Sequence, residues 1–103
     1  MKILHLTLKK KWFDLISSGE KTEEYREIKP YWISRLGNVE ALGETFIRSF
    51  DVVEFRNGYQ KNAPKIRLEW KGIQKRTGKT EWGALPGEQY FVIKLGKIIS
   101  KSN

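Results

Sequence analysis

No cysteine occurs in the 103 residues, and there are only one histidine, one methionine and three prolines. Without thiols, the chain has no disulfides, no thiol nucleophile and no cysteine-ligated zinc or iron–sulfur centre. A single histidine, His5, excludes a histidine-rich metal site. No apolar run approaches the roughly 20 residues that a membrane-spanning helix needs. The N-terminal stretch 3–8 is polar at alternate positions and too short for the apolar core of an export signal. Any chemistry falls to Lys, Glu, Asp, Arg, Tyr, Thr or Ser. No cofactor is implied, and the expected setting is the cytoplasm, away from membranes.

What is present is aromatic and basic. The chain has 39% hydrophobic residues, including 4 Trp, 4 Tyr and 5 Phe, enough for one modest core. We therefore expect one domain over residues 1–99, with 100–103 as a frayed tail. Nothing calls for an oligomer, and a monomer is expected. The net charge is +8, and it is unevenly placed. Residues 1–52 hold 9 Lys/Arg and 8 Asp/Glu, whereas residues 53–103 hold 11 and 4. Between Arg56 and Lys79, eight basic residues face Glu69 alone. Such a stripe suits a polyanion, most often nucleic acid, and it also suits plain solubility.

Leu4, Leu6 and Leu8 alternate with His5 and Thr7, which predicts a strand over 2–7. From Leu8 the apolar spacing turns helical through Trp12, Leu15 and Ile16, predicting a helix over 8–18 that Thr7 can cap and Gly19 can end. Residues 20–28 should be extended. Lys29 to Gly37 reads as a short helix with Pro30 in its first turn, and 38–50, an ambiguous stretch, as loop with room for one helical turn. Strands are expected over 51–56, over 65–71 ending near Gly72, and over 89–99, with turns at Asn57-Gly58 and Thr77-Gly78-Lys79. About five short strands and two short helices near the N-terminus make an α+β, mainly β domain. Short strands separated by turns favour a small barrel over a layered α/β sheet.

The first candidate site is Lys21, Glu24 and Arg26. Glu24 and Arg26 are two apart on a strand and share a face; Lys21 joins them if the chain is still turning out of the helix. Converging, they would hold a phosphate or carboxylate, pair with a base edge, or perform acid–base chemistry. The same run also fits a solvated, self-paired strand. The second candidate is Lys9-Lys10-Lys11, three positive charges against the positive end of a helix dipole. They call for a bound anion there, or for a Lys10–Asp14 pair. The third is the basic strand face of Lys65, Arg67 and Lys71, a nucleic-acid contact or a solvated outer face. Trp12 and Trp70 read as core. Tyr25, Tyr31, Trp32 and Trp82 are candidates for stacking on a base. His5 reads as structural.

Gly19-x-Lys21-x-x-Glu24-x-Arg26, following a helix with Trp12, Leu15 and Ile16, resembles the signature of the ASCH domain, a family of the PUA-like superfamily of small β-barrels. The likeness extends through Tyr31-Trp32, Trp82-Gly83 and the segment Tyr90 to Gly96. The resemblance implies a barrel with a cleft between the first helix and the sheet. It implies binding of RNA or of a nucleotide or modified nucleoside, with the motif residues Lys21, Glu24 and Arg26 lining the cleft; beside them we expect Tyr25, Lys9 and Trp32 to contact the ligand. Some members are amidohydrolases that remove an acetyl group from N4-acetylcytidine, using a lysine base and a threonine nucleophile. The lysine corresponds to Lys21; the threonine position is held here by Glu24, with Thr22 nearby. Other members are described as ribonucleases. The resemblance thus leaves a hydrolase, with Lys21 and Glu24 as an acid–base pair, as the alternative to a binding module.

Overall fold

The computed structural model describes residues 1–38, 46–47 and 49–102. In chain order the elements are β1 (Ile3–Leu8), α1 (Lys10–Ser17), β2 (Glu23–Glu27), α2 (Pro30–Leu36), β3 (Gly37–Asn38), β4 (Phe46–Ile47), β5 (Val52–Asn57), β6 (Lys65–Thr77), a 3-10 turn (Thr80–Trp82) and β7 (Gln89–Ser102). The protein is α+β and mostly β. Five strands form one mixed sheet in the order β1-β5-β6-β7-β2, with β1 and β2 as its outermost strands, and β3 pairs with β4.

The chain divides into two compact units. One comprises Met1–Thr22, Phe50–Lys71 and Leu95–Asn103; the other comprises Glu23–Ser49 and Gly72–Lys94. Strands β6 and β7 each contribute a segment to both.

In the first unit, β1 runs parallel to β5 with Leu4 opposite Val53 and Leu6 opposite Phe55. Antiparallel β6 places Leu68 opposite Val53 and Ile66 opposite Phe55. All six of these side chains are buried, so the alternation of leucine with polar residues in β1 becomes two apolar rows, Leu4–Val53–Leu68 and Leu6–Phe55–Ile66, on one face of three strands. Helix α1 packs against β5 and buries Phe13 and Ile16. The extended conformation lasts through Leu8, one residue beyond the expected strand. Thr7 therefore lies within β1, and Lys9 occupies the N-cap position with no side-chain cap.

In the second unit, β2 runs antiparallel to β7, with Glu24 opposite Ile93, Tyr25 opposite Val92 and Arg26 opposite Phe91. Tyr90, Phe91, Val92 and Ile93 are all buried, so this part of β7 is covered on both faces. Tyr90 and Val92 form a small apolar cluster with Ala84, against which Tyr25 packs. Helix α2 begins at Pro30 and stops before Gly37, whose φ of 102° admits no ordinary side chain without strain.

Three further boundaries differ from the sequence reading. β6 does not stop near Gly72 but continues to Thr77, the glycine lying within the strand at φ 118°. Part of the expected 38–50 loop is the β3–β4 pair; residues 39–45 and 48 lie outside the described residues. β7 continues to Ser102, so the tail expected to fray is strand through that residue. Lys101 Nζ donates to the Ser17 carbonyl at 3.0 Å. No helix among the described residues is long and apolar enough to cross a membrane.

Candidate functional site

The motif begins at the end of α1. Gly19, at φ 85°, donates its N–H to Ile16 O at 3.1 Å, and the N–H groups of Glu20 and Lys21 both donate to Leu15 O, at 3.1 and 3.0 Å. The Gly19 and Glu20 bonds make a Schellman ending, which needs a left-handed residue at position 19 and so explains the glycine. The chain then leaves the helix abruptly. Thr22 O accepts from Leu95 N–H at 3.1 Å, joining the end of the motif turn to β7.

This ending places Lys21. The residue is only 2% exposed, and its ammonium lies 4.9 Å from the centroid of the Trp12 ring on α1. It lines a groove of about 390 Å³ together with Ile16, Gly19, Thr22, Leu95 and Lys97. Trp12, read from periodicity as core, is only half-buried. Its ring is in reach of Lys11 as well, at 4.7 Å, so it serves as an aromatic wall for two cations.

In the second unit, Glu24 is 5% exposed. Its Oε2 accepts from Arg26 Nη2 at 2.8 Å, and the Arg26 side chain is 19% exposed. The Arg26 guanidinium lies 5.0 Å from the Trp32 ring centroid. Trp32 in turn meets Tyr31 edge-on at 4.9 Å. Strand parity brings Glu24 and Arg26 to one face, and α2 supplies the indole that flanks the guanidinium. Such an Arg, set against an indole with a carboxylate acceptor beside it, presents donors and acceptors suited to a planar polar ligand.

Tyr25 faces the other way, as alternation requires. Its ring lies 5.9 Å from that of Tyr90. The hydroxyl donates to Glu23 Oε1 at 2.8 Å and accepts from Lys79 N–H at 3.0 Å. Burial, followed by the Glu23 hydrogen bond and charge, pushes this phenol up to about 12. Burial also raises Glu23, but the hydrogen bonds from Arg76 and Tyr25 and the charges of Arg76 and Lys79 outweigh it and hold the carboxyl low. Arg76 grips Glu23 through Nη2. The structure therefore ties Tyr25 into a Glu23–Arg76 anchor and does not bring it beside Glu24 and Arg26. A larger groove, of about 660 Å³, is lined by Glu27, Lys29 and Tyr90 among others. Residues 25 and 27 share a parity, so this groove lies on the Tyr25 face of β2, away from Glu24 and Arg26.

Of the triple lysine, Lys10 pairs with Asp14 at 2.5 Å and Lys11 lies over Trp12, while Lys9 is exposed. On the basic strand, Lys71 is exposed and lies 3.8 Å from Glu69. Lys65 and Arg67 are half-buried. Arg67 Nε donates to Glu54 Oε2 at 2.8 Å.

No protein-family model, curated protein or solved structure matches the chain.

Glu54 was not singled out in the sequence. It is 7% exposed, and its other oxygen is bonded to His5 Nδ1 at 3.0 Å. Burial raises this carboxyl, but the Arg67 and His5 hydrogen bonds and charges overcome that and hold it below the usual carboxylate range. A charged residue inside the apolar run Val52-Val53-Glu54-Phe55 was the available signal.

Proposed function

We propose that the Gly19–Arg26 run binds RNA, or a nucleotide or modified-nucleoside ligand, as a member of the ASCH group with a PUA-like barrel. One observation carries the reading: Lys21, Glu24 and Arg26 are withdrawn from water, at 2% and 5% exposure for the first two residues and 19% for the Arg26 side chain. A solvated, self-paired strand would leave such charges outside. Burying ionised groups is costly, and better-packed apolar residues would often be more stable. Charges kept buried beside aromatic rings and a groove suit recognition of a polar, planar ligand. In this reading Lys21, in the groove of the first unit, contacts phosphate or base oxygens; in the second unit Arg26 does the same, Glu24 accepts from a base N–H, and Trp32 backs the guanidinium. Lys9, Lys65 and Lys71 supply long-range attraction, which salt weakens.

The test is calorimetric titration at low salt with short single-stranded RNA and with a panel of modified nucleosides, N4-acetylcytidine included. We expect binding by at least one ligand and a loss of at least about tenfold in Lys21→Ala and Arg26→Ala. Absence of binding by the whole panel, or unchanged affinity in both variants, overturns the reading. Product formation that disappears in Lys21→Ala would convert the binding module into the hydrolase.

A further inference from the structure

The exposed ring of the one histidine is held by a buried carboxylate. Register places His5 of β1 opposite Glu54 of β5, and Glu54 opposite Arg67 of β6. Glu54 uses one oxygen for each neighbour, His5 Nδ1 at 3.0 Å and Arg67 Nε at 2.8 Å. The His5 side chain nevertheless remains 62% exposed. With Nδ1 committed to Glu54, Nε2 is the free edge of the ring, and it has no hydrogen-bond partner among the described residues. In the neutral ring Nδ1–H donates to Glu54 and Nε2 is an acceptor; on protonation Nε2 becomes a donor as well.

The next row on the same face holds Thr7, Arg56 and Lys65, again in direct register. Arg56 and Lys65 are like charges on neighbouring strands, an unfavourable pairing unless an anion lies over it. Arg56 Nη2 donates to Gln60 O at 2.5 Å. Its Nε is buried and has no acceptor among the described residues. The row on the other side, Val52 and Glu69, returns one negative charge, and Glu69 is occupied by Lys97 N–H at 2.9 Å.

We propose that this face of β1, β5 and β6 is a proton-linked binding site for the phosphate backbone of single-stranded RNA, in which protonated His5 donates through Nε2 and Arg56, Lys65 and Arg67 supply the charge. Glu54 is the positioning residue: it fixes the imidazole by its Nδ1 side, so that only Nε2 faces the ligand. The charges span three strands, about 10 Å. That is a patch for one or two phosphates, which a flexible single strand can fold onto and which the extended phosphate track of a duplex exceeds.

None of these residues belongs to the Gly19–Arg26 run, so failure of the motif reading, judged from Lys21→Ala, leaves this site to be judged separately. The chain has one histidine, so the imidazole Hε1 proton resonance is a private reporter. An oligouridine decamer is titrated at pH 5.5 and 8.0 in low salt, against wild type, His5→Gln and Glu54→Gln. We expect the imidazole signal to move on binding. We also expect wild-type affinity to be about tenfold higher at pH 5.5, and His5→Gln to lose that pH dependence while retaining its fold. An unmoved imidazole signal at saturation, or equal pH dependence in His5→Gln, overturns the proposal. Inorganic phosphate shifting the signal at the same concentrations as the decamer also overturns it, in favour of a small-anion site. His5 is exposed, so its variant carries the test even if Glu54→Gln does not fold.

Discussion

Arg26 reaches sideways along its own strand to Glu24, Nη2 to Oε2 at 2.8 Å, while its guanidinium lies 5.0 Å from the Trp32 ring. One face of β2 thus carries a buried carboxylate and a cation that neutralises it, and α2 sets an indole against that cation.

Breaking that pair from one side leaves a charge in a desolvated place. Glu24→Gln should destabilise the protein by about 3 kcal/mol. Glu24→Gln with Arg26→Met should cost less than the sum of the two single changes, because the second removes the charge that the first orphaned. Urea denaturation of the four proteins at pH 7 reads this directly. Additive costs would mean that the two side chains do not act as a unit.

Trp12→Leu should weaken ligand binding as well as stability. The indole faces the Lys21 ammonium at 4.9 Å, a contact worth about 0.5–2 kcal/mol. We expect a stability loss of that order, together with a fall in affinity for whichever ligand the Lys21 variant fails to bind. Full affinity in Trp12→Leu would remove the ring from the binding site.

Stability should fall at both ends of the pH scale, for opposite reasons. Glu23 and Glu54 have folded-state values below the ordinary 4.5. Their contribution is complete above that value and is lost as pH falls through their lower, folded values. Tyr25 is raised from 10.0 to about 12, so its contribution is complete below pH 10 and fades as pH rises toward 12. Urea midpoints from pH 2.5 to 11.5 should show both limbs. Glu23→Gln should flatten the acid limb, and Tyr25→Phe the alkaline one. In a spectrophotometric titration Tyr25→Phe should also remove a late phenol ionisation.

Two glycines should respond differently to alanine. At Gly19 a Cβ meets nothing within 4 Å, and only the φ of +85° opposes it; about 1 kcal/mol is expected. At Gly78 the Cβ would fall 2.7 Å from the Tyr25 ring and 2.8 Å from Ala84 Cβ. The ring, held at its hydroxyl by Glu23 and Lys79, has to shift. Gly78→Ala should therefore cost more than Gly19→Ala in thermal or urea unfolding, and should perturb the Tyr25 ionisation as well.

Much of the local structure was legible in the chain because it depends on near neighbours. The leucine alternation of β1 requires a strand with one buried face. The helical spacing of Trp12, Leu15 and Ile16, ended by Gly19, requires a helix that stops there, and the Schellman bonds at Leu15 and Ile16 are its direct consequence. Alternation also put Glu24 and Arg26 on one face of β2 and Tyr25 on the other. β6 was read too short because Gly72 punctuates a strand pattern as well as it ends one; neighbouring strands, not the glycine, decide whether pairing continues.

What no local pattern contains is how far each charge lies from water. The run of charges from Glu20 to Glu27 reads the same whether solvated or covered, and only the packed fold leaves Lys21 and Glu24 nearly inaccessible. The row His5–Glu54–Arg67 is likewise tertiary. Its members lie 49 and 13 positions apart and meet because β1 runs parallel, and β6 antiparallel, to β5 in one particular register. A shift of one residue in either pairing would turn those side chains to opposite faces. The sequence by itself determined which residues alternate and where the first helix ends; the register of the sheet decided which charges stand together and what they can hold.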